Sequence, residues 1–196
     1  MQLAENNIYH IYNQGNNKEL LFYKPENYVY FLRKFRKYIL PYTSVLAYAL
    51  MPNHFHFLVY TTDKSIKMKK TGGIEMTALA DGFRQLLSSY TQAINKQENR
   101  TGSLFRQKTK AKCLTNGGTN YPFVCFHYIH QNPMTAGLVD RMEEWPFSSF
   151  QDYCATRNGT LCDKELAFDL INLSRQSFYE QSYQVIAPEK VRRLFV

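Results

Sequence analysis

Two strand-like runs, Thr43–Leu50 and Asn53–Thr61, flank the tight connection Met51-Pro52-Asn53. A connection that short leaves the second strand one option: it folds back antiparallel on the first. A hairpin of this kind needs further strands and a covering layer to be stable, so it dictates much of what surrounds it. Ile8–Asn13 alternates large apolar and polar residues and supplies another strand. Pro25 suits the first turn of a helix that runs to about Leu40, with Tyr28, Phe31, Leu32 and Phe35 at helical spacing. A second helical repeat falls in Glu75–Asn99, carried by Leu79, Phe83, Leu86, Leu87, Tyr90 and Ile94. Lys64–Gly73 reads as a basic loop, Leu104–Leu114 as a fourth strand, and Thr119–Gln131 as a short helix with Pro133 just beyond it. The order strand, helix, strand, strand, helix, strand, helix predicts an α+β fold: an antiparallel sheet with two long helices packed on one face and a short helix after the last strand. The reading divides the chain into a main domain, 1–162, and a helical C-terminal extension, 163–196.

Composition narrows the function. The 196 residues carry 24 Lys and Arg against 16 Asp and Glu, a net charge of +8, and 15% of them are aromatic. An anionic partner follows from the charge, with nucleic acid first, and aromatic rings suit the stacking of unpaired bases. No apolar run is long enough to span a membrane and none resembles a secretory leader, so the expected location is cytoplasmic. Cys113, Cys125, Cys154 and Cys162 follow no paired zinc-ligand spacing and read as reduced thiols.

Three groups of residues can do chemistry. His54 and His56, two apart on a strand, share a face, while Phe55, Phe57 and Val59 point the opposite way; two imidazoles on one face can hold one metal ion, or can be plain surface histidines. Tyr128 and Asn132 lie four apart and project from one side of a helix, with Asn132 at its end because Pro133 follows. Arg106, Lys108, Lys110 and Lys112 alternate, which on a strand places four cations on one face; such a row either follows a phosphate backbone or guards an edge strand. His10, on the first strand, is a candidate for supporting the site or contacting DNA. His127 and His130 fall off the Tyr128 face and read as structural.

These residues sit in segments that match a known family. YHIYNQGNN from Tyr9, LAYALMPNHFHFLV from Leu46, GSLF from Gly102, YIHQNPMTAGLV from Tyr128 and WPFSSF from Trp145 occur in that order over about Tyr9 to Tyr153. The chain resembles the single-tyrosine HUH transposases, most closely their REP-associated branch. The resemblance implies a ferredoxin-like sandwich, His54 and His56 as the metal-binding HUH pair, Tyr128 as nucleophile and Asn132 as a third, amide ligand. It also implies Mg²⁺ or Mn²⁺ as cofactor and hairpin-forming single-stranded DNA as partner, cleaved through a 5′-phosphotyrosine, by a monomer or homodimer. Gln14 stands where many members have Arg, and the cations after GSLF are shifted from the family's pattern. Two other readings use the same residues: a metal-dependent hydrolase that activates water at His54 and His56, and a single-stranded nucleic-acid binding module without catalysis.

Overall fold

The computed structural model describes residues 1–115 and 120–195. In chain order the elements are β1 (Ile8–Gln14), α1 (Pro25–Tyr38), β2 (Thr43–Met51), β3 (His54–Thr61), α2 (Asp63–Ile66), β4 (Met68–Thr71), β5 (Ile74–Thr77), α3 (Ala78–Gln97), β6 (Lys110–Cys113), α4 (Tyr121–Thr135), α5 (Phe150–Tyr153), α6 (Lys164–Ile171), α7 (Phe178–Ser182) and α8 (Pro188–Arg192). Four strands form one sheet in the order β2-β3-β1-β6, every pair antiparallel. The expected succession β-α-β-β-α-β is present as β1, α1, β2, β3, α3, β6.

The sheet's two faces differ in chemistry. Ile11, Asn13, Phe55 and Phe57 share one face through the β1–β3 register. Against it lie α1 and α3, whose Phe31, Phe35, Phe83 and Tyr90 join Phe55 and Phe57 in a continuous aromatic core. Each helix starts at a side-chain cap. Asn27 of α1 turns its side-chain oxygen back to the Tyr23 and Lys24 amides at 3.0 and 3.2 Å, and Thr77 caps α3 through the Ala80 amide. The two helices approach closely because residue 82 is glycine: a Cβ there would stand 2.3 Å from the Tyr38 carbonyl oxygen.

The other face carries His10, Tyr12, His54, His56 and Leu58, and on β2 it carries Ala47 and Ala49, which pair with Leu58 and His56. Both alanines are fully buried. Their small side chains let α4 settle on β2, so this helix covers the face opposite α1 and α3. The free edge of β2 is closed by the segment around Ser148, where Leu50 N donates to the Phe147 carbonyl and Ser149 N to that of Tyr48, each at 2.9 Å. Beyond this segment α6 packs on β2, while α7 and α8 pack on α4. Ala167, Ile171 and Phe178 from these helices, and Leu194 just after α8, belong to the same hydrophobic core as the sheet.

Several expectations are corrected. Lys64–Gly73 is not a loop: it holds α2 and half of the β4–β5 hairpin. Gly72 and Gly73 both take positive φ, 59° and 82°, as a two-residue hairpin turn requires. The second long helix therefore starts at Ala78 rather than Glu75. Leu104–Leu114 is not one strand. Phe105 makes an isolated bridge to Gly15, and regular pairing resumes only at Lys110. Between them Asn13 donates its amide to the Arg106 carbonyl at 3.2 Å and to Thr109 Oγ1 at 3.0 Å, holding 106–109 out of the ladder. Finally, α4 does not stop before Pro133 but runs through it to Thr135, because Gly137, with φ 70°, provides the left-handed residue that ends the helix. Asn132 thus lies inside α4. The expected start of this helix at Thr119 falls outside the described residues.

The packing of α4 on two alanines gives a direct test. Ala49→Leu adds three carbons where no space exists. It is expected to destabilise the fold by about 1–3 kcal/mol, visible as a thermal midpoint lowered by roughly 2–12 °C; an unchanged midpoint would mean that α4 does not rest on β2 there.

Candidate active site

His54 and His56 face α4, and Tyr128 comes down to meet them. The Tyr128 ring lies 5.6 Å from that of His56, edge to face. The two histidine rings are 5.0 Å apart and nearly perpendicular. One turn along α4 from Tyr128, Asn132 donates its amide to the Tyr128 hydroxyl at 3.3 Å, and its side chain also lies against His54. The structure therefore brings all four residues, Tyr128, Asn132, His54 and His56, to one place.

Each imidazole is oriented by a neighbour. Asn53 Oδ1 is only an acceptor, so the 2.7 Å contact with His54 Nδ1 puts the proton on that nitrogen and leaves Nε2 as a lone pair. Asn53 is fixed in turn by donating to the Lys18 carbonyl at 3.3 Å. His56 Nδ1 lies 2.8 Å from His10 Nε2. With the shared proton on His56 Nδ1, Nε2 of His56 is a second lone pair, and this atom is buried without any hydrogen-bond partner. Desolvation holds His54 down at about 4, with Asn132 opposing, and holds His56 well below the ordinary histidine range, helped by His10 and His54. Both rings are therefore neutral at neutral pH. Two neutral imidazoles with free Nε2 atoms and an adjacent amide form a donor set that fits a divalent ion.

Around this cluster lies a cavity of about 420 Å³ lined by Tyr12, Gln14, His54, His56 and Tyr128 and, from the excursion after Phe105 and the start of β6, by Arg106, Lys108 and Lys110. Among the described residues that line it, three are cations and none is a carboxylate, so the cavity favours an anion. Phe195, from the segment after α8, completes the wall, with its ring 5.0 Å from Tyr12 and 5.6 Å from Tyr128. Burial, with Cys125 adding to it and Asn132 opposing, pushes the Tyr128 phenol up to about 12.

Two expectations about the cations and His10 change. The four basic residues do not share a strand face: Lys110 and Lys112 are in β6, opposite Tyr12 and His10, while Arg106 and Lys108 lie in the excursion. Arg106, Lys108 and Lys110 nonetheless reach the cavity; Lys112 is not among its lining residues. His10 is fully buried and meets His56 rather than solvent, which leaves it no surface for DNA. His127 and His130 turn away, toward Ser182 and Ser149. Sequence reasoning missed three participants. Tyr12 was legible from its two-residue offset from His10. Asn53 is adjacent to His54, but nothing in its identity says that it orients that ring. Phe195 has no local signal.

No family model matches the chain, and no curated protein matches it. Among solved structures the chain is similar to a REP-associated tyrosine transposase bound to a REP hairpin, with a TM-score of 0.59 and 16% identity, covering 83% of this chain and 92% of that one. The likeness is one of fold. Among the described residues no helix is long and apolar enough to cross a membrane.

The orientation and neutrality of the imidazoles predict how a divalent ion would bind there. A proton competes with a metal for the same lone pair, and a lowered pKa moves that competition to lower pH. Calorimetric Mn²⁺ affinity is expected to persist as pH falls through 6.5 and to fade only toward the His54 value of about 4. His10→Ala is expected to weaken it by about 10- to 100-fold, the usual cost of losing a group that orients a ligand. A midpoint near 6.5, or a His10→Ala variant equal to wild type, would contradict the assignment.

Proposed function

We propose that this chain is a tyrosine-dependent nuclease and strand transferase of the HUH type, acting on single-stranded, hairpin-forming DNA. The observation that carries the reading is the convergence of Tyr128, Asn132, His54 and His56 in one cation-lined cavity. The strand order supports the ferredoxin-like sandwich that such enzymes use, and the structural neighbour, itself bound to a DNA hairpin, supports DNA as the substrate class.

His54, His56 and Asn132 would hold the metal, Mg²⁺ or Mn²⁺. When bound, that ion supplies Lewis-acid polarisation of a phosphate and neutralises charge on its oxygens. The chain's own residues do the rest. Arg106, Lys108 and Lys110 grip the phosphate backbone. Tyr128 Oη forms a bond to phosphorus in line with the leaving oxygen; the P–O3′ bond breaks, the phenol loses its proton, and the departing oxygen gains one as a free 3′-hydroxyl. The 5′-phosphate is then esterified to Tyr128 and keeps the energy of the phosphodiester, so a second 3′-hydroxyl can displace the tyrosine and reseal the strand without ATP. Asn132 orients the phenol and, as a donor to its oxygen, favours the phenolate.

Incubation with a hairpin-bearing single strand and Mn²⁺, read on a denaturing gel, should give a covalent protein–DNA adduct. Tyr128→Phe should abolish it while binding changes less than about fivefold, because a hydroxyl facing a neutral amide contributes only about 1 kcal/mol. An adduct at wild-type yield in that variant removes Tyr128 from the role, and strand scission without any adduct points to hydrolysis instead. Since the phenol sits at about 12 and must lose its proton, the rate should rise with pH, by up to tenfold per unit between about 7 and 9. A rate that falls over this range would exclude the phenolate as nucleophile.

A further inference from the structure

The excursion that Asn13 holds out of the sheet is a wall with a cavity on each side. One side is the catalytic cavity. The other is a trench of about 990 Å³ between this segment and α3, and Arg106, Lys108 and Lys110 line both. On the α3 side the trench presents Arg84, Ser88, Thr91 and Gln92. Not one carboxylate lines it. Arg84 pairs at 2.8 Å with the buried Asp81 and keeps a side chain 47% exposed, so the unbalanced charge comes from the three shared cations. The lining runs along α3 from Ala80 to Asn95, a length of about 22 Å at the rise of an α-helix. At the Ala80 end stands the β4–β5 hairpin, which contributes Met76 and carries Lys70 exposed, with Lys67 exposed just before it.

A run of hydroxyl and amide side chains facing cations, without acidic groups, is a surface for a polyanion. A cavity that shares those three cationic side chains with the catalytic one is a surface for the same polyanion. We infer that the trench holds the single strand of DNA where it continues beyond the scissile phosphate, crossing the 106–110 wall and lying along α3. The inference rests on the proposed reaction and extends it: Arg106, Lys108 and Lys110 become the crossing point, and Ser88, Thr91 and Gln92 contact sugar and phosphate farther along. The trench length accommodates about six nucleotides of a stacked strand at 3.4 Å each.

The test compares a short single strand, enough for the catalytic cavity alone, with the same strand extended by about six nucleotides on its 5′ or its 3′ side. Wild-type protein should bind one of the two extended strands at least about tenfold more tightly than the short one, with a steeper salt dependence. The double variant Ser88→Glu/Gln92→Glu puts two negative charges in the trench at exposed positions, leaving the fold's own bonds in place. It should lose that gain while matching wild type in thermal midpoint and in affinity for the short strand. A photo-crosslinker on Ser88→Cys should capture the extended strand and not the short one. If neither extension tightens binding, or the variant keeps the full gain, the trench assignment is overturned although adduct formation at Tyr128 stands. If wild type binds strands but forms no adduct, the catalytic reading fails while the crosslink still reports the trench, and if it binds no strand both fail. Capture of duplex but not single strand by Ser88→Cys overturns the single-strand assignment.

Discussion

Everything at the candidate site depends on the register between β1 and β3. Tyr12 stands opposite His56 and Gln14 opposite His54. Because side chains alternate across a strand, a slip of one residue would turn both histidines into the aromatic core and Phe55 and Phe57 out toward α4. The register is held from both faces. On one, Phe57 stacks on Phe35 with ring centroids 4.0 Å apart, an arrangement that no imidazole would replace without a buried, unpaired nitrogen. On the other, His10 reaches across to His56 at 2.8 Å, a bond that exists only in this register. The core that makes the fold stable is thus also what aims the ligands.

The same dependence explains which parts of the structure were legible in the amino-acid sequence. Strands and long helices were, because burial imposes a period: two residues in Asn53–Thr61, three to four in the runs Tyr28–Phe35 and Leu79–Ile94. The pairing of His54 with His56 followed from period alone. What period cannot reveal is an interaction between side chains far apart in sequence. Asn13 reaches 93 residues on to the Arg106 carbonyl and so interrupts what reads as a continuous strand. Pro133 looked like a helix stop, yet the stop is set four residues later by Gly137. The Gly72-Gly73 pair did carry its hairpin signal, but the lysines around it read first as a solvated loop. The segment after α8 returns Phe195 to the cavity with no repeat or motif to announce it.

The site combines burial with charge in a way that sets its chemistry. Desolvation keeps His54 and His56 neutral, which preserves their lone pairs, but the same desolvation works against Tyr128, whose phenol it holds protonated. A phenol at about 12 is almost entirely protonated at neutral pH. Asn132 opposes this by donating to the phenol oxygen. Arg106, Lys108 and Lys110 line the same cavity, where they favour an anionic ligand. The Asn13-held segment places Arg106 and Lys108 between that cavity and the trench along α3, so that both line the two spaces.

The proposed reaction requires the helix bearing Tyr128 to be held, since a nucleophile displaced by an ångström would lose most of its advantage. Two alanines on β2 set its distance from the sheet. Its other side is fixed by buried hydrogen bonds: His130 Nε2 to Ser149 Oγ at 2.7 Å and His127 Nδ1 to Ser182 Oγ at 3.1 Å. Ser149 also accepts from the Tyr48 amide of β2 at 2.9 Å, so a single hydroxyl ties helix, strand and the segment following Trp145 together. That segment is pinned in turn by Arg157, which bridges the buried Asp152 and the Ser148 carbonyl. The WPFSSF segment thus clamps α4, the helix that bears Tyr128. His130 occurs within the Tyr128 motif because it faces that clamp while Tyr128, half a turn away, faces the imidazoles. One short helix thereby presents its reactive group on one side and the bond that fixes it in space on the other.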